Sequence, residues 1–147
     1  MNRRRNNNNR KAFTMIEVVA VLIIVGLLAT VATTTFMGKI GRAKKDTTKA
    51  NLKQLHSAVL SFKLDTGRYP EEEEGLDVLI DPPIDDEGWD PEGYLMTADL
   101  PEDGWGNAFI YQRYPENNKP FVIVSYGADG EEGGEGDNAD LYSTDAN

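Results

Sequence analysis

From Phe13 to Met37 the chain holds a single ionisable residue, Glu17, among apolar, glycine and threonine positions. As a helix rising about 1.5 Å per residue this run reaches roughly 38 Å, enough to cross a hydrocarbon layer of about 30 Å. It predicts a membrane-spanning helix over 13–37, between a short segment, 1–12, and one small domain, 38–147. A carboxylate placed in hydrocarbon costs on the order of a few kcal/mol unless it meets a partner or reaches the interface, which makes Glu17 the first candidate for function. Two other readings fit the same residues. A basic start followed by an apolar run also describes a secretory signal peptide, with Ala29 to Ala32 as a weak cleavage site, although the run exceeds the usual core of about 7–15 residues. A plain one-pass anchor, with Glu17 reaching to the interface, is the other.

Charge gives the run a direction. The chain carries a net −10, yet Arg3, Arg4, Arg5, Arg10 and Lys11 all precede the apolar stretch, and without these five charges the remainder stands at −15. Lys39 to Lys63 is still basic, so the acid is concentrated after Asp65. A basic amino-terminal flank places that end in the cytoplasm and the acidic domain on the far side. The acidity also argues against nucleic acid as a partner, because phosphate contacts need clustered Lys or Arg. There is no cysteine. An exported domain of this kind has no disulfide to brace it and depends on packing or a metal ion.

Beyond the apolar run the pattern becomes amphipathic. Ile40, Ala43 and Thr47, then Leu52, Leu55, Val59 and Phe62, recur at spacings of three and four, while Lys44, Lys45, Lys49 and Lys53 fill other faces. One continuous helix is predicted from Phe13 to Leu64, roughly 75–80 Å long. Thr66-Gly67-Arg68-Tyr69-Pro70 ends it with a glycine and a proline in the expected order. A short helix follows at Glu74 to Ile80, then an acidic loop from Asp81 to Glu92. Phe109 to Tyr114 and Phe121 to Ser125 read as strands joined by a hairpin loop, Pro115 to Pro120. The class is α+β: a long helix packed on a small antiparallel sheet. Trp89 and Trp105 are expected as core residues, and Arg68 and Tyr69 as parts of a packed turn. His56, the only histidine, has neither a second imidazole nor a thiol to share a zinc ion with.

The closing segment, Ser125 to Leu141, has no apolar stripe, many glycines and six carboxylates. Hard oxygen donors on a glycine-rich backbone suit Ca²⁺, which takes six to eight oxygens at about 2.3–2.6 Å, better than Mg²⁺. The spacing is not that of an EF-hand. From the residues alone, a calcium loop and an acidic tail without fixed structure are equally good readings.

Local wording adds a resemblance. Ala12-Phe13-Thr14-Met15-Ile16-Glu17 after a basic leader resembles the signal of type IV pilins and pseudopilins. That resemblance implies cleavage between Ala12 and Phe13 by a prepilin peptidase, methylation of the new Phe13 amine, and a role in assembly for Glu17, whose carboxylate would pair with the Phe13 amine of a neighbouring subunit. Ala12 stands where the family usually has Gly, and Thr33-Thr34-Thr35 where it commonly has Pro. Thr66 to Pro70 followed by Glu74-Gly75-Leu76, and Leu100-Pro101-Glu102-Asp103-Gly104-Trp105-Gly106-Asn107, are similar to the G-type pseudopilins of type II secretion systems. Gly104 replaces a family Pro and implies a looser turn. The segment Ser125-Tyr126-Gly127-Ala128-Asp129-Gly130, with Gly136-Asp137-Asn138-Ala139-Asp140, resembles their calcium loop. Carried over by position, Asp129, Asp137 and Asp140 are the implied side-chain ligands and Ser125 the implied carbonyl donor.

What the resemblance implies is a major structural subunit of a secretion pseudopilus, held in the inner membrane with its domain in the periplasm. Its implied partners are copies of itself, prepilin peptidase, the minor pseudopilins and the inner-membrane assembly platform; its implied cofactor is Ca²⁺. A type IV pilin for adhesion or DNA uptake would share the signal and the helix, but the calcium loop and the lack of a terminal disulfide argue against it. An anchored glycosidase using paired carboxylates fails on size and on the absence of a pocket-forming scaffold. No enzyme activity is expected.

Overall fold

A computed structural model describes residues 13–81, 88–114 and 119–145, with 31–37 described by their backbone alone. The leader 1–12 with Ala12, residues 82–87 of the acidic loop and residues 115–118 of the hairpin loop lie outside the described residues. The chain divides into two units, Met1–Lys39 and Ile40–Asn147.

Helix α1, Met15–Thr66, has 52 residues and begins and ends two positions later than expected. Its start is fixed by Thr14, whose Oγ1 accepts the Glu17 N–H at 3.3 Å while the Glu17 carboxylate accepts the Thr14 N–H at 3.2 Å. Its end is fixed by Gly67, which at φ +79° donates its N–H to the Lys63 carbonyl at 2.9 Å. The backbone stays helical through 33–35. In the first unit every large apolar side chain described from Phe13 to Leu28 is at least half exposed, from 50% at Val18 to 88% at Met15. Among the described residues no helix is long and apolar enough to cross a membrane. The span expected over 13–37 includes 31–37, whose side chains lie outside the description.

In the second unit α1 packs on a three-stranded antiparallel sheet of β1 (Ile110–Arg113), β2 (Phe121–Ser125) and β3 (Leu141–Tyr142), in that spatial order. The register pairs Tyr111 with Ile123 and Ser125 with Leu141. Every residue of the central strand β2 is buried, as befits one paired on both edges. Leu52, Leu55, Val59 and Phe62 of α1 are fully buried against Leu79, Phe109, Phe121 and Ile123. Each large apolar side chain buried in this way contributes about 1.5–3 kcal/mol to the stability of the domain. The early part of the expected stripe is corrected: Ile40, Ala43 and Thr47 are exposed, and the helix instead turns Gly41 and Thr48 inward. Thr48 is an apt residue there because its hydroxyl both donates to the Lys44 carbonyl at 2.9 Å and accepts the Gly104 N–H at 2.8 Å.

The expected helix at 74–80 contracts to a 3-10 turn, Asp77–Leu79, which buries Val78 and Leu79. Arg68 and Tyr69 form a packed turn, as expected. Arg68 grips Glu74 through two bonds of 2.6 and 2.9 Å, and this guanidinium holds the Glu74 carboxyl below its ordinary range. Tyr69 packs on Phe121 and accepts a hydrogen bond from Lys63. Trp89 packs against the core and donates its indole N–H to the Val78 carbonyl, whereas Trp105 is half-buried outside that cluster. The turn at Gly104 is tight rather than loose. A Cβ there would collide with the Lys44 backbone of α1, and the Gly104 N–H is in use, so the site admits neither alanine nor proline without a shift. Asn51 adds a second tie by donating to the Glu102 carbonyl at 2.8 Å.

Candidate functional site

Two regions hold the residues singled out by sequence. The first is the start of α1. Phe13 is 84% exposed and lies just ahead of the helix. Glu17 sits within one turn of the helix start and accepts hydrogen bonds from both the N–H and the hydroxyl of Thr14 at 3.2 Å. Thr-x-x-Glu is a capping box, in which each side chain satisfies a backbone N–H that the first helical turn leaves without a partner. The carboxylate also gains from the positive end of the helix dipole. Glu17 is thus partly compensated within its own chain, which sequence reasoning overlooked although Thr14-Met15-Ile16-Glu17 spells the signature.

The second region is the closing loop, which follows a fixed path in place of an unstructured tail. Gly127 opens it at φ +68°, pressed so close to the Asn138 backbone that a Cβ would meet its carbonyl carbon at 2.7 Å. The Ala128 N–H reaches the Asp137 carbonyl at 2.9 Å, and Asn107 Nδ2 donates to the Gly127 carbonyl at 2.8 Å. A 3-10 turn, Gly136–Asn138, then leads into β3.

Within this frame the four implied ligands are tied separately. Asp129 accepts the Glu131 N–H at 3.3 Å. Asp137 pairs with Lys45 of α1 at 3.3 Å, and the same ammonium donates to the Gly136 carbonyl at 2.6 Å. Asp140 accepts the Gly133 N–H on both oxygens at 3.0 Å and the Tyr142 hydroxyl at 3.2 Å, while burial first and this carboxylate second push the Tyr142 phenol up. Ser125 is buried, and its Oγ donates to Asp103 Oδ2 at 2.7 Å. Chemically the set suits a hard cation, with three carboxylates and nearby carbonyls on one loop. Geometrically, among the described residues no three of His, Cys, Asp or Glu form a group that could hold a metal.

Asp103 and Lys45 were not foreseen. Asp103, nearly buried, accepts the N–H groups of Trp105 and Asn107 at 2.9 Å in addition to Ser125, so it ties the 100–107 turn to the end of β2. Its signal was the Asp-Gly-x-Gly-Asn wording of a side-chain-stabilised turn. Lys45 gave no such signal, because its partner is 92 residues away. His56 is half-buried and packs on Phe121 with ring centres 4.8 Å apart and planes tilted by 33°; burial lowers its pKa, and among the described residues its Nδ1 has no hydrogen-bond partner.

The first unit is a helix with large apolar side chains exposed on every side, and the second is a small α+β domain. Comparison with known proteins makes the class specific. Residues 35–144 match the family model for type II secretion system protein G, and residues 7–33 match that of the prokaryotic N-terminal methylation motif. The type II secretion system core protein G of Pseudomonas aeruginosa is 36% identical over 136 residues, covering 90% of this chain and 94% of that one. Its counterpart in Vibrio cholerae is 34% identical, covering 88% of each. The crystal structure of the major pseudopilin from the type 2 secretion system of enterohaemorrhagic Escherichia coli superimposes with a TM-score of 0.60 at 28% identity, covering 72% of this chain and 90% of that one. The chain belongs to the type II secretion system protein G family. It is a pseudopilin that carries the methylation motif of membrane-anchored subunits, and the alternative of a type IV pilin gives way to this reading.

Proposed function

We propose that the chain is cut between Ala12 and Phe13 by a prepilin peptidase, methylated on the Phe13 amine, and polymerised into a periplasmic pseudopilus that drives the export of folded proteins. It crosses the inner membrane once, with its amino terminus in the cytoplasm and residues 38–147 in the periplasm. Its partners are further copies, the minor pseudopilins and the inner-membrane platform. Its role is structural and not catalytic. The observation that carries this reading is the twelve large apolar side chains from Phe13 to Leu28, all at least half exposed around the whole helix, with Glu17 the one charge among them. Such a surface needs lipid, other helices, or both in succession. The capping box supports the role of Glu17: it holds the carboxylate at the helix start, one turn from the Phe13 amine, where a neighbour's amine offers the opposite charge.

The experiment is the intact mass of protein extracted from membranes. Loss of residues 1–12 plus one methyl group supports the proposal. A start at Met1, or a cut near Ala32, would overturn it.

We propose further that the closing loop binds Ca²⁺, with Asp129, Asp137 and Asp140 supplying side-chain oxygens and Ser125 a carbonyl. What supports this is the donor chemistry, the family resemblance and a loop already closed on itself by the Ala128–Asp137 bond. A bound ion would supply cross-linking charge between segments whose carboxylates otherwise repel.

A further inference from the structure

Within residues 40–147, Arg42, Lys44, Lys45, Lys49 and Lys53 crowd into twelve positions of an otherwise acidic unit. Arg42, Lys45, Lys49 and Lys53 follow one another at spacings of three, four and four, which puts them on a single face of α1 beside the buried stripe. Lys45 shows what this face does: it takes the Asp137 carboxylate and the Gly136 carbonyl of its own closing loop. Lys49 and Lys53 lie one and two turns further along, about 6 and 12 Å, and are exposed. Next to Lys53 is a groove of about 330 Å³ lined by His56, Leu60, Lys119 and Phe121. Leu60 and, one turn on, Leu64 are 40% and 82% exposed on the same face.

The closing loop has a matching surplus. Asp129, Asp137 and Asp140 are each engaged at home, whereas Glu131, Glu132 and Glu135 are exposed and, among the described residues, accept no hydrogen bond or ion pair through their carboxylates. We propose that in the assembled fibre the Lys49–Lys53 face and its groove receive the Glu131–Glu132 segment of a second copy. The inference rests on the self-assembly proposed above. A copy set beside the first and shifted along the helix axis by one to two turns would bring its loop level with Lys49 and Lys53. Each glutamate stem can lie on Leu60 while its carboxylate meets an ammonium. The donor and acceptor surfaces differ, so the contact is head-to-tail and propagates.

A charge-swap experiment on the full chain, expressed with its assembly machinery, tests the contact. Lys49→Glu with Lys53→Glu, and separately Glu131→Lys with Glu132→Lys, should each cut the yield of sheared fibres by about tenfold or more. The four changes together should return it to within about threefold of the unaltered chain. Because the chain has no cysteine, Lys53→Cys combined with Glu132→Cys should give an oxidised ladder of multimers in isolated fibres. Normal fibre yield from both reversed pairs, or fibres without the ladder, overturns the contact and leaves assembly through the helix standing. Loss of binding to phosphatidylglycerol vesicles by the lysine variant, with no rescue by the loop variant, assigns the face to lipid and overturns it too. Failure of the unaltered chain to form fibres at all sinks the underlying reading of self-assembly instead.

Discussion

Two stretches of one helix make opposite uses of the same backbone. From Phe13 to Leu28 apolar residues surround the axis and are exposed, with one capped carboxylate at the start. From Gly41 to Phe62 the large apolar residues gather mainly in a stripe, fully buried at Leu52, Leu55, Val59 and Phe62, with Leu60 alone of them exposed beside the cations on another face. Both stretches are helical, so the difference lies in the period of the apolar residues and not in propensity. A helix packed on its own domain along one side needs one apolar face, whereas a helix apolar all round suits surroundings that are apolar on every side.

Truncation should separate the two stretches most sharply. Phe62→Ala is expected to lower the stability of the detergent-solubilised chain by about 3–5 kcal/mol, while Leu22→Ala changes it by less than about 0.5 kcal/mol; denaturant unfolding followed by tryptophan fluorescence reads both. A comparable cost for Leu22→Ala would erase the distinction. The closing loop comes next: saturating Ca²⁺ at a hundredfold excess over its dissociation constant should stabilise the second unit by about 2.7 kcal/mol. Identical melting curves in millimolar Ca²⁺ and excess EGTA would remove calcium from the account. Gly104→Ala should cost about 1–3 kcal/mol by pushing the 100–107 turn off α1, seen as a lowered unfolding midpoint. Thr14→Ala removes half of the capping box, worth about 1 kcal/mol, and should speed amide exchange at Glu17 about fivefold without moving the midpoint of the second unit.

The smallest expected effect is a pH dependence at His56. Burial lowers its pKa from the ordinary value of 6.5, so the unfolded chain binds the proton more readily than the folded one. The stabilisation is therefore complete above about pH 6.5 and is lost as pH falls through the lower folded value. Melting temperature should decline on acidification across that window, and His56→Phe should flatten this part of the profile. An unchanged profile in the variant would assign the decline to other groups, among them Glu74, whose lowered pKa acts in the same direction at more acid pH.

Much of this molecule was legible beforehand, for physical reasons that can be named. The apolar run, the 3-4 stripe from Leu52 to Phe62, the Gly67 stop and the β2 strand are local patterns, and the structure repeats them with boundaries within two residues. Harder to see were features set by distant partners. Ile40, Ala43 and Thr47 matched the helical spacing, yet the domain presses on Gly41 and Thr48, because what lies opposite is the 100–107 turn and the Asp137 loop. The Lys45 contact and the two-residue strand β3 depend on the chain returning from far away. At the candidate site, the implied ligands were placed in one loop, but nothing local indicated that each would find its own hydrogen-bond partner.

The meeting of Thr48 with Gly104 carries a consequence for any chain built on this plan. A proline at 104 would bring a Cβ and no N–H, so it is compatible only with a helix that keeps its distance and has no hydroxyl waiting at 48. The two positions are coupled across 56 residues of chain: Gly104→Pro alone should injure the domain, and adding Thr48→Ala should recover only the part of that loss due to the hydroxyl left without the Gly104 N–H.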